Sequence, residues 1–384
     1  MIQYNYPTTI FYGEDSIESL PNAILKDEVY KILIVTDQGI VDAGIADKMV
    51  SVCTKNGLKV GIFSDIHTNP LEEDVLKARQ FFIEGGYEAL IGLGGGSAMD
   101  VAKTIKFIAV HELPLSQYND AIGGDALIVN KMPPLYAIPT TAGTGSEVGR
   151  SSVVTIKKTD RKTIFFHPNL MPDIAVLDPN LTKNLPPHIT AATGIDAFSH
   201  CLEAYLVDSF HPMADALALQ GIEMVLTNLP KVIENGNNMV ARGQMQLAAT
   251  IGATAFQKGL GMIHSIAHAL STISNTHHGL ANALAMIECI DFTLKKAEKN
   301  SFETLKFKLK KINRLFSNNN SLTENIKHFI VDLNIILGLE NHNFIKDDIN
   351  KLAMIAHEDA CHQTHPFIVS KNDFTFVITK CFNE

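Results

Sequence analysis

The chain has no CxxC pair, no HExxH, no GxGxxG, and no apolar run near the ~18 residues a membrane-spanning helix needs. Each absence removes a class of protein. Its five cysteines, at positions 53, 201, 289, 361 and 381, are odd in number and far apart, which excludes a disulfide framework or zinc ribbon and implies reduced thiols. Without HExxH a zinc protease reading fails, and without GxGxxG a plain Rossmann fingerprint is missing. Basic residues are few: the formal net charge is -9, and the one short run, KFKLKK at 306–311, reads as a solvated helix face, so no nucleic-acid partner is expected. The start, MIQYNYPTTIFYGEDS, lacks the basic then apolar segments of a secretory leader. A cytoplasmic protein with no membrane partner is the expectation.

What is there describes an ordinary soluble globular chain, 46% hydrophobic and 19% charged. At 384 residues it exceeds the ~250–300 at which one core stops growing, so two domains are expected. Up to about residue 184, short β-branched runs alternate with helix-length segments. Strands near 31–36, 59–64, 88–93 and 135–138 imply βαβ units and a parallel sheet, with ligands gathering at the carboxyl ends of the strands. From LPPHITAATG onward those runs vanish, and Ala, Leu, Met and His recur at helical spacing. Pro186 and Pro187 mark the boundary between an α/β domain, 1–184, and an all-α domain, 185–384. SNNNS at 317–321 reads as a polar loop, and there is no internal repeat.

In the first half, LGGGSAMDVAK at 93–103 ends the third expected strand in three glycines and a serine before a helix begins. Glycines let backbone amides approach a phosphate, and the helix N-terminus adds a positive dipole end, which makes a pyrophosphate cradle. The competing reading is a tight turn with Ser97 as N-cap. PTTAGTGSEVG at 139–149, after the next strand, holds four hydroxyls and three glycines, either a structural turn or a source of donors to a ribose, phosphate or nicotinamide. Two such loops on one sheet favour a dinucleotide site. Asp37 closes the strand KILIVTD, where it either accepts from ribose hydroxyls, favouring NAD over NADP, or caps the next helix.

In the second half, AATGIDAFSHCLEA at 191–204 places Asp196 and His200 four apart on one helix face. GLGMIHSIAHALSTISNTHHGLANA at 259–283 adds His264 and His268 at the same spacing, then His277 and His278. An Asp with three imidazoles suits a divalent first-row ion, iron or zinc, with an open coordination position.

These motifs, GGGSxxDxAK, PTTxGTGSE, DAFSHCLEA and GLGxxHSxAH followed by HGLANA, resemble in content and order the iron-containing (group III) alcohol dehydrogenase family over about residues 1–365. The resemblance implies a dehydroquinate synthase-like architecture: an N-terminal α/β dinucleotide-binding domain, a helical domain, and an active site in the cleft between them. It implies that Asp196, His200, His264 and His278 bind the metal, Fe(2+) or Zn(2+), and that His268 lies near the nicotinamide and relays a proton. It also implies that Gly95, Gly96 and Ser97 hold the pyrophosphate, that Asp37, Asn69, Thr140, Thr141 and Lys162 contact other parts of NAD, and that Asp100 supports that region. A homodimer or higher assembly is implied as well. Two departures stand out: where the family has Leu-Gly this chain reads ALST, which alters the pocket wall near Ser271 and Thr272, and His277 stands where Pro precedes the last ligand, so His277 is an alternative ligand.

The activity this implies is reversible oxidation of a short primary alcohol to an aldehyde. RKTIFFHPNLMP, AFQKGLG and DACHQTHP look most like members acting on 4-hydroxybutyrate, for which Arg150 or Lys258 offers a carboxylate partner. A dehydroquinate synthase-type elimination is the other enzyme reading, and it would want more Lys and Arg than the His-rich segment holds. A metal- or nucleotide-sensing protein would want an appended partner domain. Near the end, His362 is read as a substrate-pocket residue, and His365 has no assigned role.

Overall fold

The computed structural model describes residues 8–159 and 161–382. The first seven residues, part of the segment read for a leader, lie outside them. The chain divides into two compact units, Met1–Thr141 with Gly145–Thr182, and Ala142–Thr144 with Lys183–Glu384.

The first unit carries strands β1 (Thr9–Tyr12), β2 (Lys31–Val35), β3 (Lys59–Phe63), β4 (Ala89–Gly94), β5 (Leu135–Pro139), β6 (Ser151–Ile156), β7 (Arg161–Phe166) and β8 (Ile174–Leu177). Its helices are α1 (Leu20–Lys26), α2 (Gln38–Asp42), α3 (Ile45–Lys55), α4 (Glu72–Glu84) and α5 (Gly96–Ile108). Six strands form one sheet in the order β1-β8-β5-β4-β2-β3, every pair parallel. Helices on both faces explain why β4 (ALIGLG) and β5 (LYAIP) are buried at every residue. Alternation along β2 splits the core, with Leu33 and Val35 in one apolar cluster and Ile32 and Ile34 in the other.

The four strands read from the sequence are present, but β1, β8 and the antiparallel β6–β7 hairpin were not anticipated. Because β1 comes first, the glycine loop follows the fourth strand in the chain and not the third. β2 pairs with β3 on one side and β4 on the other, so the strand order reverses between β2 and β4. Open parallel sheets bind ligands at such a switch point.

The second unit contains α6 (Pro187–Leu206), α7 (Pro212–Glu234), α8 (Met239–Ala255), α9 (Met262–Ser274), α10 (His278–Lys299), α11 (Glu303–Asn313), α12 (Leu322–Asp332), α13 (Ile349–Glu358) and α14 (Lys371–Cys381), and no strand among the described residues. α6 is buried on every side from Thr190 to Leu206, as a helix at the centre of a helical domain must be. α10 crosses it so closely at Gly279 that a Cβ there would lie 1.9 Å from the Ala192 carbonyl oxygen.

The KFKLKK run is not a uniformly solvated face. Lys308 is buried and its Nζ donates to the Val207 carbonyl (2.7 Å) at the end of α6, where a cation meets the helix's negative pole, while Phe307 is exposed along with Lys310 and Lys311. All five cysteines are free, as their spacing implied. Among the described residues no helix is long and apolar enough to cross a membrane.

Candidate active site

In the first unit Asp37, the Gly95–Ser97 loop and Thr140–Thr141 follow the carboxyl ends of three neighbouring strands, β2, β4 and β5. At the end of β4, Gly94 has φ +150, and a Cβ there would come within 2.8 Å of the Ala98 Cβ and 3.3 Å of Asp37 Oδ2, so glycine is required. Gly95 is the extended N-cap of α5 and no side chain caps that helix, which leaves its first amides for a ligand. Ser97 is therefore not the N-cap; its Oγ donates to the Thr68 carbonyl and ties the glycine loop to the segment holding Asn69. Asn69 Oδ1 accepts from Lys162 Nζ (2.9 Å) on β7.

Thr140 is buried beside the loop, its N–H donating to the Gly94 carbonyl (3.1 Å), and Thr141 Cγ2 lies 3.5 Å from the Cβ position of Gly95. Asp37 realises the capping alternative, accepting from Ile40 N (3.0 Å) at the start of α2. Asp100 lies one turn into α5. Burial raises its carboxyl and lowers the ammonium of Lys103, each held back by the other's charge. Lys103 was not singled out from the sequence. It is fully buried and donates to Ser146 Oγ (2.8 Å) and the Ser151 carbonyl (3.0 Å), fastening the second loop and β6 to α5.

In the second unit, α6 supplies Asp196 and His200, α9 supplies His264, and α10 opens with His278. Asp196 Oδ1 lies 3.7 Å from His200 Nε2, 3.8 Å from His264 Nε2 and 3.4 Å from His278 Nε2. A tetrahedral ion with ligand bonds of ~2.1 Å has ligand-to-ligand edges of about 3.4 Å. The fit is supported by His264 Nε2, which is buried without a hydrogen-bond partner, a cost that a bound ion removes. Burial pushes His200 down to about 4 and His278 well below its ordinary value, so both imidazoles are neutral donors. Burial opposes the charge of Asp196, but the surrounding imidazoles of His200, His278, His264 and His277, in their charged forms, outweigh it and hold the carboxyl below its usual range. Of the four, His278 reaches solvent, its side chain 32% exposed, so a path from solvent to the cluster runs on that side.

Three residues behind the cluster were missed by sequence reasoning. Glu203, buried on α6, accepts from His264 Nδ1 (2.7 Å), Ile263 N (2.7 Å) and His264 N (3.3 Å), so it caps α9 and aims His264 Nε2 at the cluster. Asn282 Nδ2 donates to Asp196 Oδ1 (2.9 Å). Asp359 accepts from His268 Nδ1 (2.8 Å), Ser265 Oγ (2.9 Å) and Cys361 N (2.8 Å); burial opposes its charge, but these bonds hold it well below the usual carboxylate range. His268 itself stacks on His278 with ring centroids 5.3 Å apart. Glu203 and Asn282 follow Asp196 and His278 by seven and four residues, a helical spacing that could have pointed to them. Asp359 had no such signal.

Other candidates lie elsewhere. His277 precedes α10 and lies outside the converging group of Asp196, His200, His264 and His278. The His362 ring lies 5.2 Å from that of Phe374 on α14, and the His362 backbone N–H donates to Ser265 Oγ (3.0 Å). His365 packs against Phe367, 4.5 Å between rings. Lys258 is buried in an ion pair with Asp215, so it is not available to a substrate carboxylate. The Arg150 guanidinium lies over the Phe166 ring at 5.2 Å.

Comparison with known proteins places this geometry in a family. The family described as "Iron-containing alcohol dehydrogenase" matches residues 7–179, and its C-terminal counterpart, "Fe-containing alcohol dehydrogenase family, C-terminal", matches residues 190–382. The 4-hydroxybutyrate dehydrogenase of Cupriavidus necator is 36% identical over 363 residues, 92% of this chain and 94% of that protein. A solved 1,3-propanediol oxidoreductase superposes with a TM-score of 0.93 at 28% identity, covering 100% of both chains. A sulfoacetaldehyde reductase from Bifidobacterium kashiwanohense, solved with NAD+, does so at 0.88 and 25%, covering 99% of this chain and 98% of that one. The chain belongs to the iron-containing alcohol dehydrogenase family. It is an oxidoreductase with that family's fold, a parallel-sheet N-terminal part and a helical C-terminal part.

Proposed function

We propose that the protein catalyses the NAD-linked, metal-dependent, reversible oxidation of a short primary alcohol to its aldehyde. The observation that carries this reading is the cluster of one carboxylate oxygen and three imidazole nitrogens, 3.4 to 3.8 Å from oxygen to nitrogen, with His264 Nε2 left without a partner. A divalent ion held by Asp196, His200, His264 and His278, iron by preference or zinc, supplies a Lewis acid for the alcohol oxygen as it loses its proton, and NAD supplies the hydride acceptor.

The chain's own residues do the rest. Glu203 keeps His264 oriented. His268, hydrogen-bonded through Nδ1 to Asp359, keeps Nε2 as the acceptor in the tautomer this network favours, and at 33% exposure it passes the proton to solvent. The α5 amides at Gly95, Gly96 and Ser97 hold a pyrophosphate, and Asp37, whose Oδ1 caps α2, accepts from the adenosine ribose through Oδ2 and repels a 2′-phosphate. Asn69, Thr140, Thr141 and Lys162 contact other parts of NAD, with Asp100 and Lys103 supporting the loop. A cytoplasmic, homo-oligomeric protein belongs to the same proposal, and the five free cysteines support a reducing compartment.

A second reading, an ω-hydroxy acid substrate such as 4-hydroxybutyrate, is favoured by the Cupriavidus relative, which matches nearly end to end. Family membership favours hydride transfer over phosphate elimination of the dehydroquinate synthase type. The test is NADH formation by the metal-loaded protein with butanol, propane-1,3-diol and 4-hydroxybutyrate. Turnover of the neutral alcohols supports the first reading, and a kcat/KM at least tenfold higher for the hydroxy acid supports the second. No NADH from any of them at full metal occupancy sinks both.

A further inference from the structure

Beside the four-ligand cluster, a second set of ligand atoms converges: a nitrogen of His268, a carboxylate oxygen of Asp359 and Cys361 Sγ all lie within 4.8 Å of one another. We propose that His268, Asp359 and Cys361 form a second metal site, selective for a thiophilic ion such as zinc, whose occupation captures His268 and stops turnover. The inhibitory part rests on the proton-relay role proposed for His268; the binding part does not.

The distances are close to those the ion requires. His268 Nδ1 is 2.8 Å from Asp359 Oδ2 and 4.0 Å from Cys361 Sγ. A tetrahedral zinc with bonds of ~2.0–2.3 Å to nitrogen, oxygen and sulfur has edges of roughly 3.3–3.6 Å. One pair must open and the other close by about half an ångström, which is within reach of side-chain rotation.

The supporting shell is already built. Ser265 Oγ (2.9 Å) and Cys361 N (2.8 Å) both donate to Asp359 Oδ1, which fixes the carboxylate and leaves Oδ2 for the ion. His268 and Asp359 are 33% and 17% exposed, so an ion has an entry path and a water can complete the coordination.

The two sites differ in softness. The first offers only oxygen and nitrogen, whereas the second adds sulfur, and thiolate ligands favour zinc over iron. On binding, the thiol proton leaves to solvent. The imidazole gives up its Nδ1 proton to the metal bond and carries one on Nε2, so the nitrogen needed to accept a substrate proton is blocked. Thiolate and carboxylate together balance the charge of the dication.

The test is a metal titration of the full chain. Equilibrium dialysis with zinc is expected to give two ions per chain. Cobalt(II) is expected to give a thiolate-to-metal charge-transfer band in the near ultraviolet, which the first site, having no sulfur, cannot produce. Cys361→Ser should abolish the band and weaken the second zinc at least tenfold while leaving the first; His200→Ala should lose the first ion and keep the band. Should Cys361→Ser not fold, zinc protection of Cys361 from alkylation in the unaltered chain gives the same reading. One zinc per chain, absence of the band, its survival in Cys361→Ser, or unprotected Cys361 overturns the site. Absence of alcohol oxidation under every condition would overturn the proposed function and leave these binding results standing. Where alcohol is oxidised, excess zinc should inhibit the unaltered enzyme and spare Cys361→Ser; equal inhibition of both overturns the capture of His268.

Discussion

Replacing Glu203 by Gln tests whether the carboxylate behind His264 sets the metal affinity. Its two oxygens accept from Ile263 N (2.7 Å), His264 N (3.3 Å) and His264 Nδ1 (2.7 Å). Glutamine keeps the size but puts an NH2 where one oxygen was, so either the α9 amides or the imidazole N–H meets a donor. If the amide oxygen stays with the helix, His264 loses a hydrogen bond to a charged group, ~1.5–3 kcal/mol. At 1.4 kcal/mol per factor of ten, that is roughly 10–100-fold weaker metal binding. Protonation runs the other way: burial lowers the His264 pKa, but the hydrogen bond and charge of Glu203 outweigh it and raise the value above the ordinary one. That proton competes with the ion near neutrality, and the variant relieves the competition, so the comparison belongs at alkaline pH. Chelator competition measures the affinity, and melting of the ion-free protein confirms folding. A folded variant with unchanged affinity at alkaline pH would refute the reasoning.

Gly279→Ala would drive a Cβ to 1.9 Å from the Ala192 carbonyl and 3.3 Å from Asp196 Cβ, forcing α10 off α6. A loss of about 3 kcal/mol or more in urea unfolding is expected, with metal binding falling in step. Asp359 is lowered in the folded protein, so it contributes stability above its unfolded pKa of ~3.9 that is lost as the pH falls towards its folded value. Asp359→Asn should therefore cost about 1–3 kcal/mol at neutral pH and progressively less below about pH 4; a gap independent of pH would contradict this. Lys258→Met breaks the pair with Asp215, whose side chain is 28% exposed, and should cost about 1–3 kcal/mol in urea unfolding, less than a fully buried pair. It should leave KM for 4-hydroxybutyrate unchanged. It should also raise the ammonium of Lys308, which burial and then Lys258 hold down to about 8, as an NMR titration would show.

The parts of the fold legible in the sequence are those whose periodicity is strong. KILIV and ALIGLG read as strands because they are buried on both faces and end in turn residues. TIFY and IAVL are four residues each, too short to separate from loop by pattern alone, and β7 of the β6–β7 hairpin is the RKTIFF half of a stretch that drew attention for substrate choice and not for its fold. In the site, repeated i, i+4 spacing in apolar helices exposed Asp196, His200, His264 and His268. Asp359, 91 residues from His268, is brought to it by tertiary packing alone. Lys258 misled because charge is visible in a sequence and burial is not; its partner Asp215 lies 43 residues away.

The most direct test strips the purified protein of metal anaerobically and follows NADH absorbance with NAD and a short primary alcohol as ferrous iron is returned. The prediction is no NADH without the ion, recovery in proportion to the ion bound at Asp196, His200, His264 and His278, and none in a folded His264→Ala variant. NADH production by the ion-free protein, or by His264→Ala with no ion bound, would contradict a metal-dependent dehydrogenase.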